Sequence, residues 1–194
     1  MASITPSSKK SDLLARCLGF LLLAWSACVV AEGILVTSAD LVEHGGDYHL
    51  SASFETDLTP TLEDALNKGL PLYFTVEFDL IYPRWYTLYL WNRKIVEFEQ
   101  VYRVSYNALT RQYRLSYGAL HQNFDTLDEV LALLGRLRDR KLFSVSELDE
   151  GRVYEAQIRM RLDTTLLPKP FQVTALGSSD WTLVSDWYRW TVMR

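Results

Sequence analysis

Apolar and polar residues alternate at period two in several stretches from Tyr48 onward, and this alternation is the dominant pattern of the chain. Tyr48, Leu50, Ala52 and Phe54 oppose His49, Ser51, Ser53 and Glu55. Leu72, Phe74, Val76, Phe78 and Leu80 oppose Tyr73, Thr75, Glu77 and Asp79. Val96, Phe98, Tyr102, Val104 and Tyr106 share one parity, and Tyr154, Ala156, Ile158, Met160 and Leu162 share another against Glu155, Gln157, Arg159 and Arg161. Each stretch predicts a strand with one buried and one wet face, the signature of an antiparallel sheet. Gly45-Gly46, Asn92-Arg93-Lys94 and Asn107 to Thr110 supply turn chemistry between strands. The run from Trp85 to Trp91 is apolar on both parities and is therefore placed centrally, covered on both faces.

Two helices interrupt the strands. Thr59-Pro60 starts the first, Leu62, Ala65 and Leu66 form its buried side, and Gly69 stops it. Asp125 or Thr126 caps the second, with Leu127, Val130, Leu131, Leu134 and Leu137 as its stripe. Asp128 and Glu129 lie at its positive end, and Arg136, Arg138, Arg140 and Lys141 are read as complementing its negative end. Pro168-Lys169-Pro170 reads as part of an extended connector, followed by a last pair of strands around Phe171 to Leu176 and Trp181 to Tyr188. The expected fold is mainly β, an antiparallel sandwich-like domain with two short helices; an α+β layer with both helices on one sheet face is the alternative.

At 194 residues, 48% hydrophobic, the chain has material for one core. Residues 1–31 are set apart: Lys9, Lys10 and Arg16 precede the apolar run Cys17 to Ala31, the order of a secretory signal. Cleavage before Glu32 is the leading expectation; lipidation at Cys28 and retention as an anchor are its rivals. Residues 32–194 then form a single β-rich domain working outside the cytoplasm. Cys17 and Cys28 are the only cysteines, so that domain holds no disulfide, thiolate metal site or cysteine nucleophile. The net charge of −4 and the absence of a long basic run argue against nucleic acid. From Glu32 to Pro83 ten carboxylates face Lys68 alone, whereas the remainder has a slight excess of Lys and Arg; solvated faces are the favoured reading, and attraction between the two parts is the other.

No serine-hydrolase elbow, zinc-protease helix, phosphate loop, paired Cys-x-x-Cys or EF-hand loop occurs in the chain. A Gly45-Gly46 turn sets His44 opposite Asp47 with His49 on the same face, a possible divalent-metal arrangement outweighed by ordinary surface polarity, and His121 is isolated. No catalytic, metal or cofactor residue is therefore assigned. Tyr102-Arg103, Tyr106, Arg111, Tyr113-Arg114 and Tyr117 suggest ligand stacking, but alternation explains them as core and solvent positions. The C-terminal Trp187, Tyr188, Arg189 and Trp190, with Lys169 and its flanking prolines, are the candidate interaction surface.

The segments Leu66 to Leu72, Ser105 to Tyr113, Arg161 to Asp163, Leu167 to Gln172 and Ser179 to Trp181 resemble domain of unknown function family 4390. That resemblance covers nearly all of residues 32–194. It implies a small exported protein of proteobacteria in a cell-envelope setting. It also implies a regulatory association, since genes of some relatives lie near an envelope sensor kinase and a ribosomal RNA methyltransferase. It brings no catalytic residues. The expected function is a non-catalytic interaction or accessory module whose partner is an envelope protein, a sensor kinase being one candidate. A carrier of an apolar ligand and a periplasmic hydrolase are the alternatives.

Overall fold

The structure is a computed structural model that describes residues 33–82 and 93–194. Residues 1–31, read as a secretory signal, and the aromatic run from Trp85 to Trp91, expected to be central, lie outside the described residues. Among the described residues nine strands form two antiparallel sheets. The smaller has the order β1-β2-β7, from β1 (Ile34–His44), β2 (Asp47–Thr56) and β7 (Arg136–Ser144). The larger has the order β6-β5-β4-β3-β8-β9. Its strands are β3 (Leu72–Tyr82), β4 (Arg93–Asn107), β5 (Gln112–Tyr117), β6 (Leu120–Phe124), β8 (Val153–Leu162) and β9 (Tyr188–Met193).

The alternating residues explain the sandwich. Leu50, Phe74, Phe78, Leu80, Ile158 and Met160 are fully buried, so no water-sized space touches them and the middle of the two inner faces is filled by side chains. Burying each such residue contributes roughly 1.5–3 kcal/mol, which makes the inner face of β3 and β8 the centre of the core. Gly45 and Gly46, at φ 63° and 88°, supply the two left-handed positions of the β1–β2 turn. That turn pairs His44 with Asp47 as the sequence predicts.

Strand β1 also alternates, but a bulge between Val36 and Ser38 reverses its parity, so Ile34, Val36 and Ala39 all reach the core. Thr37, the extra residue, donates its hydroxyl to the Ser53 carbonyl at 3.1 Å.

Three short helices flank the sheets. Helix α1 (Pro60–Asn67) begins as expected, with Thr59 as N-cap and Leu62, Ala65 and Leu66 buried. Helix α2 (Leu127–Leu134) is capped by Thr126, but it ends at Gly135, earlier than the charge pattern predicts. The basic residues Arg136, Arg138, Arg140 and Lys141 therefore do not complement a helix end; they lie on β7, and Leu137 is a buried strand residue. Bulges between Tyr48 and His49 and between Leu50 and Ala52 in the β2–β7 register break the alternation of β7, which is why it imitates a helix terminus. Gly135 is what makes the abrupt junction possible. A Cβ there would stand 2.2 Å from the Phe54 carbonyl oxygen, while the Gly135 carbonyl accepts from the Phe54 amide at 2.8 Å.

The third helix corrects the expected strand at Phe171 to Leu176. Helix α3 (Lys169–Leu176) starts within Pro168-Lys169-Pro170, because a proline in the first turn has no amide bond to lose. Trp181 to Tyr188 is likewise not a strand: a single 3-10 turn spans Ser179–Trp181, Val184 makes one isolated bridge to Arg161, and the strand begins at Tyr188. Arg93 and Lys94 belong to β4 and not to a turn.

Candidate functional site

The smaller sheet is three strands wide and the larger six, so β7 forms an edge beyond which part of the larger sheet's inner face stays uncovered. An open groove of about 510 Å³ lies there, a size typical of ligand sites. Gln100 and Tyr102 of β4, Leu115 and Tyr117 of β5 and Gln122 of β6 form one side. Arg136, Leu137, Arg138 and Arg140 of β7 form the other, with Leu133 of α2.

Tyr102 and Tyr117 approach with ring centroids 5.7 Å apart. Burial, and then the neighbouring Tyr117, push the Tyr102 hydroxyl above its ordinary phenol range despite Arg140, so it remains a neutral hydrogen-bonding group at physiological pH. The Arg140 guanidinium also stands 5.5 Å from the centre of the Phe98 ring. Among the described residues, no carboxylate lies within ion-pair distance of Arg136, Arg138 or Arg140. Asp139, set between them at φ 48°, is directed elsewhere, with its Oδ1 2.8 Å from His49 Nδ1.

Groove residues Tyr102 and Tyr117 belong to the aromatic group that the sequence assigned to core and solvent positions. The sequence reads the arginines as a helix end, and the signal for a strand is lost because two bulges break the alternation of β7.

A second polar cluster occupies the outer face of the larger sheet. Arg159 and Arg161 of β8 each donate through Nε to Glu77 of β3 at 2.6 Å, one to each carboxylate oxygen. Arg161 also reaches Asp163 at 3.2 Å. Asp79, almost wholly buried, pairs with Lys94 at 3.1 Å and accepts from the Gln157 amide at 3.0 Å. The acidic first part of the chain thus meets the basic remainder directly, across β3 and β8. Burial alone would raise the Glu77 pKa, but hydrogen bonds and charge from Arg161 and Arg159 hold it below the ordinary carboxylate value. Asp163 is lowered too: burial opposes this, and the Thr165 hydroxyl and amide together with Arg161 overcome it.

The five candidate contact residues are distributed over different surfaces. Trp187 lies on the outer face with the Arg159 guanidinium 4.3 Å from its ring centre, and Arg189 donates to Gln157 there at 3.2 Å. Tyr188 and Trp190 sit opposite Ile158 and Ala156 on the inner side, and Trp190 packs 6.1 Å from Phe78. Lys169 is exposed on α3.

His44, Asp47 and His49 share the outer face of the small sheet, as the turn requires. Asp47 pairs with Lys141, and His49 turns toward Asp139 with its ring 6.0 Å from His44. Ser51 Oγ accepts from the Asp139 amide, and among the described residues no hydrogen bond joins it to a histidine. His121 is exposed on β6.

Together these features define a two-sheet antiparallel sandwich with an open, arginine-walled groove beside an edge strand. Residues 31–191 match the model of the family described as Domain of unknown function (DUF4390), and the chain belongs to that family. Neither a curated protein nor a solved structure matches it. Among the described residues no helix is long and apolar enough to cross a membrane.

Proposed function

We propose that the protein is a non-catalytic binding module, exported by its N-terminal segment and working in the cell envelope, with the groove beside β7 as its binding surface. The observation that carries this reading is the set of three arginines lining one groove without carboxylate partners among the described residues. Arginine and tyrosine are enriched at the centres of protein interfaces, and here three arginines gather against two tyrosines. The partner is an envelope protein, and the family resemblance favours a sensor kinase. Trp187, Arg189 and Lys169 remain candidate contacts at separate patches. An apolar-ligand carrier fits less well, since the interior between the sheets is filled at Phe74, Phe78 and Ile158.

Photo-crosslinking in cells tests this. A photoreactive residue in place of Tyr117, in the groove, is expected to give a discrete adduct, and one in place of the exposed Glu150, in the turn before β8, is not. Equal labelling from both positions, or none from Tyr117, would overturn the assignment. The first residue of the recovered protein reads out export in the same samples: Glu32 after cleavage, Cys28 after lipid processing, and an intact N-terminus would overturn processing.

A further inference from the structure

We propose that the groove receives an extended acidic segment of a partner protein, lying alongside β7 with its carboxylates directed to Arg138 and Arg140. This rests on the reading above that the groove is the binding surface. Three features of the site select this occupant.

The first is charge. The chain as a whole carries −4, so an acidic partner is attracted locally, where arginine is concentrated, and not by the protein's net charge. The β7 bulge strengthens this locality by sending the one acidic side chain of the stretch, Asp139, to His49. Asp125 and Glu129 line an adjoining cleft with Arg136, and Asp40 and Asp139 line a second one with Arg138. The carboxylates beside Arg136 turn an acidic segment away from that end, leaving Arg140 and the groove side of Arg138 as the main contacts.

The second is number. The bulge of β7 between Leu137 and Arg140 breaks its alternation, so the arginines follow no strict two-residue repeat, but Arg138 and Arg140 line one groove and an extended segment with several carboxylates engages both. Arginine presents a planar fork of donors that a carboxylate accepts bidentately. A lone small anion satisfies one such fork and leaves the other unused.

The third is the lining. Gln100 and Gln122 each offer an amide donor and acceptor, the complement of a peptide main chain, and Tyr102 and Tyr117 offer ring surface for the residues between the carboxylates. An acyl chain would need an enclosed apolar cavity, yet Leu115 and Val104 at this floor are buried in the core and the groove is open. The bulges of β7 interrupt regular main-chain pairing, so side chains carry the selectivity.

The test uses the purified full chain and a fluorescein-labelled heptapeptide alternating Val and Glu, read by anisotropy. The acidic peptide is expected to bind about tenfold or more tightly than its Gln counterpart, and to weaken as salt is raised. The double substitution Arg138→Gln with Arg140→Gln should lose about tenfold in affinity, whereas Arg114→Gln, on the other face of β5 and bonded to Asn123, should not change it. Arg138→Glu with Arg140→Glu should instead take up the Val-Lys peptide, which reports on charge in a variant shown by that binding to be folded. Equal affinity for the Glu and Gln peptides overturns the proposal. So does an unchanged double variant, displacement by inorganic phosphate as strong as by peptide, or capture on phosphatidylglycerol vesicles without peptide binding. A groove adduct from Tyr117 together with no peptide binding keeps the binding surface and rejects the acidic segment alone.

Discussion

Replacing Gly135 with alanine is expected to destabilise the domain by about 3 kcal/mol or more, at the upper end of what overpacking costs. The added methyl meets the Phe54 carbonyl oxygen at 2.2 Å, and that oxygen is backbone, so no side-chain rotation relieves the clash. Relief requires moving the start of β7 away from β2, and this breaks the 2.8 Å bond from the Phe54 amide to the Gly135 carbonyl. It also draws Val130 and Leu134 of α2 out of the core, since Gly135 is the hinge between that helix and the strand. In a domain of this size the melting temperature should fall by about 10 °C. Gly177→Ala is the control: its Cβ finds nothing nearer than the Thr174 carbonyl oxygen at 3.8 Å. Its melting temperature should stay within about 2 °C of the parent, as for an ordinary surface change. Similar shifts for the two variants would show that the close approach at Gly135 is not the constraint described.

Glu77→Gln should cost about 2–3 kcal/mol and flatten the acid limb of the stability curve. Among the described residues Glu77 is the one anion bridging the Arg159 and Arg161 guanidiniums, at 2.6 Å from each, so the amide leaves Arg159 without its carboxylate and Arg161 with Asp163 and the more distant Glu99. The folded pKa of Glu77 lies below its ordinary 4.5 and that of Asp163 below its ordinary 3.8. A carboxyl depressed by folding contributes stability that is fully present above its unfolded value and is lost as pH falls through the folded one. The parent should therefore hold its stability down to about pH 5 and lose it below. The Glu77→Gln variant should begin less stable near neutrality and fall less steeply, keeping only the Asp163 share. Urea titrations at a series of pH values measure both quantities. Parallel curves for parent and variant would exclude Glu77 as a source of the acid limb. Glu97→Gln removes a more exposed partner of Lys94 and should change stability by at most about 0.5 kcal/mol.

The sheets were legible wherever the period of two ran unbroken. β2, β3 and β8 bury the residues that their parity names, but β3 and β8 also bury Thr75, Asp79 and Gln157 on the parity expected to be wet. Where a bulge inserts a residue, parity reverses within the strand and the pattern ceases to announce itself. This hid the alternation of β1 at Thr37 and disguised β7 as the tail of a helix. Proline misled for a different reason. The rule that admits Pro60 to the first turn of α1 applies equally to Pro170 in α3, but neighbouring Pro168 made an extended reading equally natural. The candidate site was legible in its tyrosines and not in its arginines. Its existence depends on the unequal widths of two sheets, which no local pattern encodes. The Glu77 cluster lay half in view: alternation places Glu77, Arg159 and Arg161 outward, but only the β3–β8 register brings them together.

The bulges have a consequence beyond register. A sandwich of two open sheets exposes four strand edges, each a template for pairing with another copy during folding or at high concentration. Here one edge, β1, is offset at Thr37, and the opposite edge of that sheet, β7, is interrupted twice and studded with arginine. The larger sheet ends in the five-residue β6 and the six-residue β9, both too short to seed an extended ladder. Among the described residues every sheet edge is thus kinked, charged or curtailed. With no cysteine in residues 32–194, protection of those edges against pairing with another copy rests on the backbone and its charges.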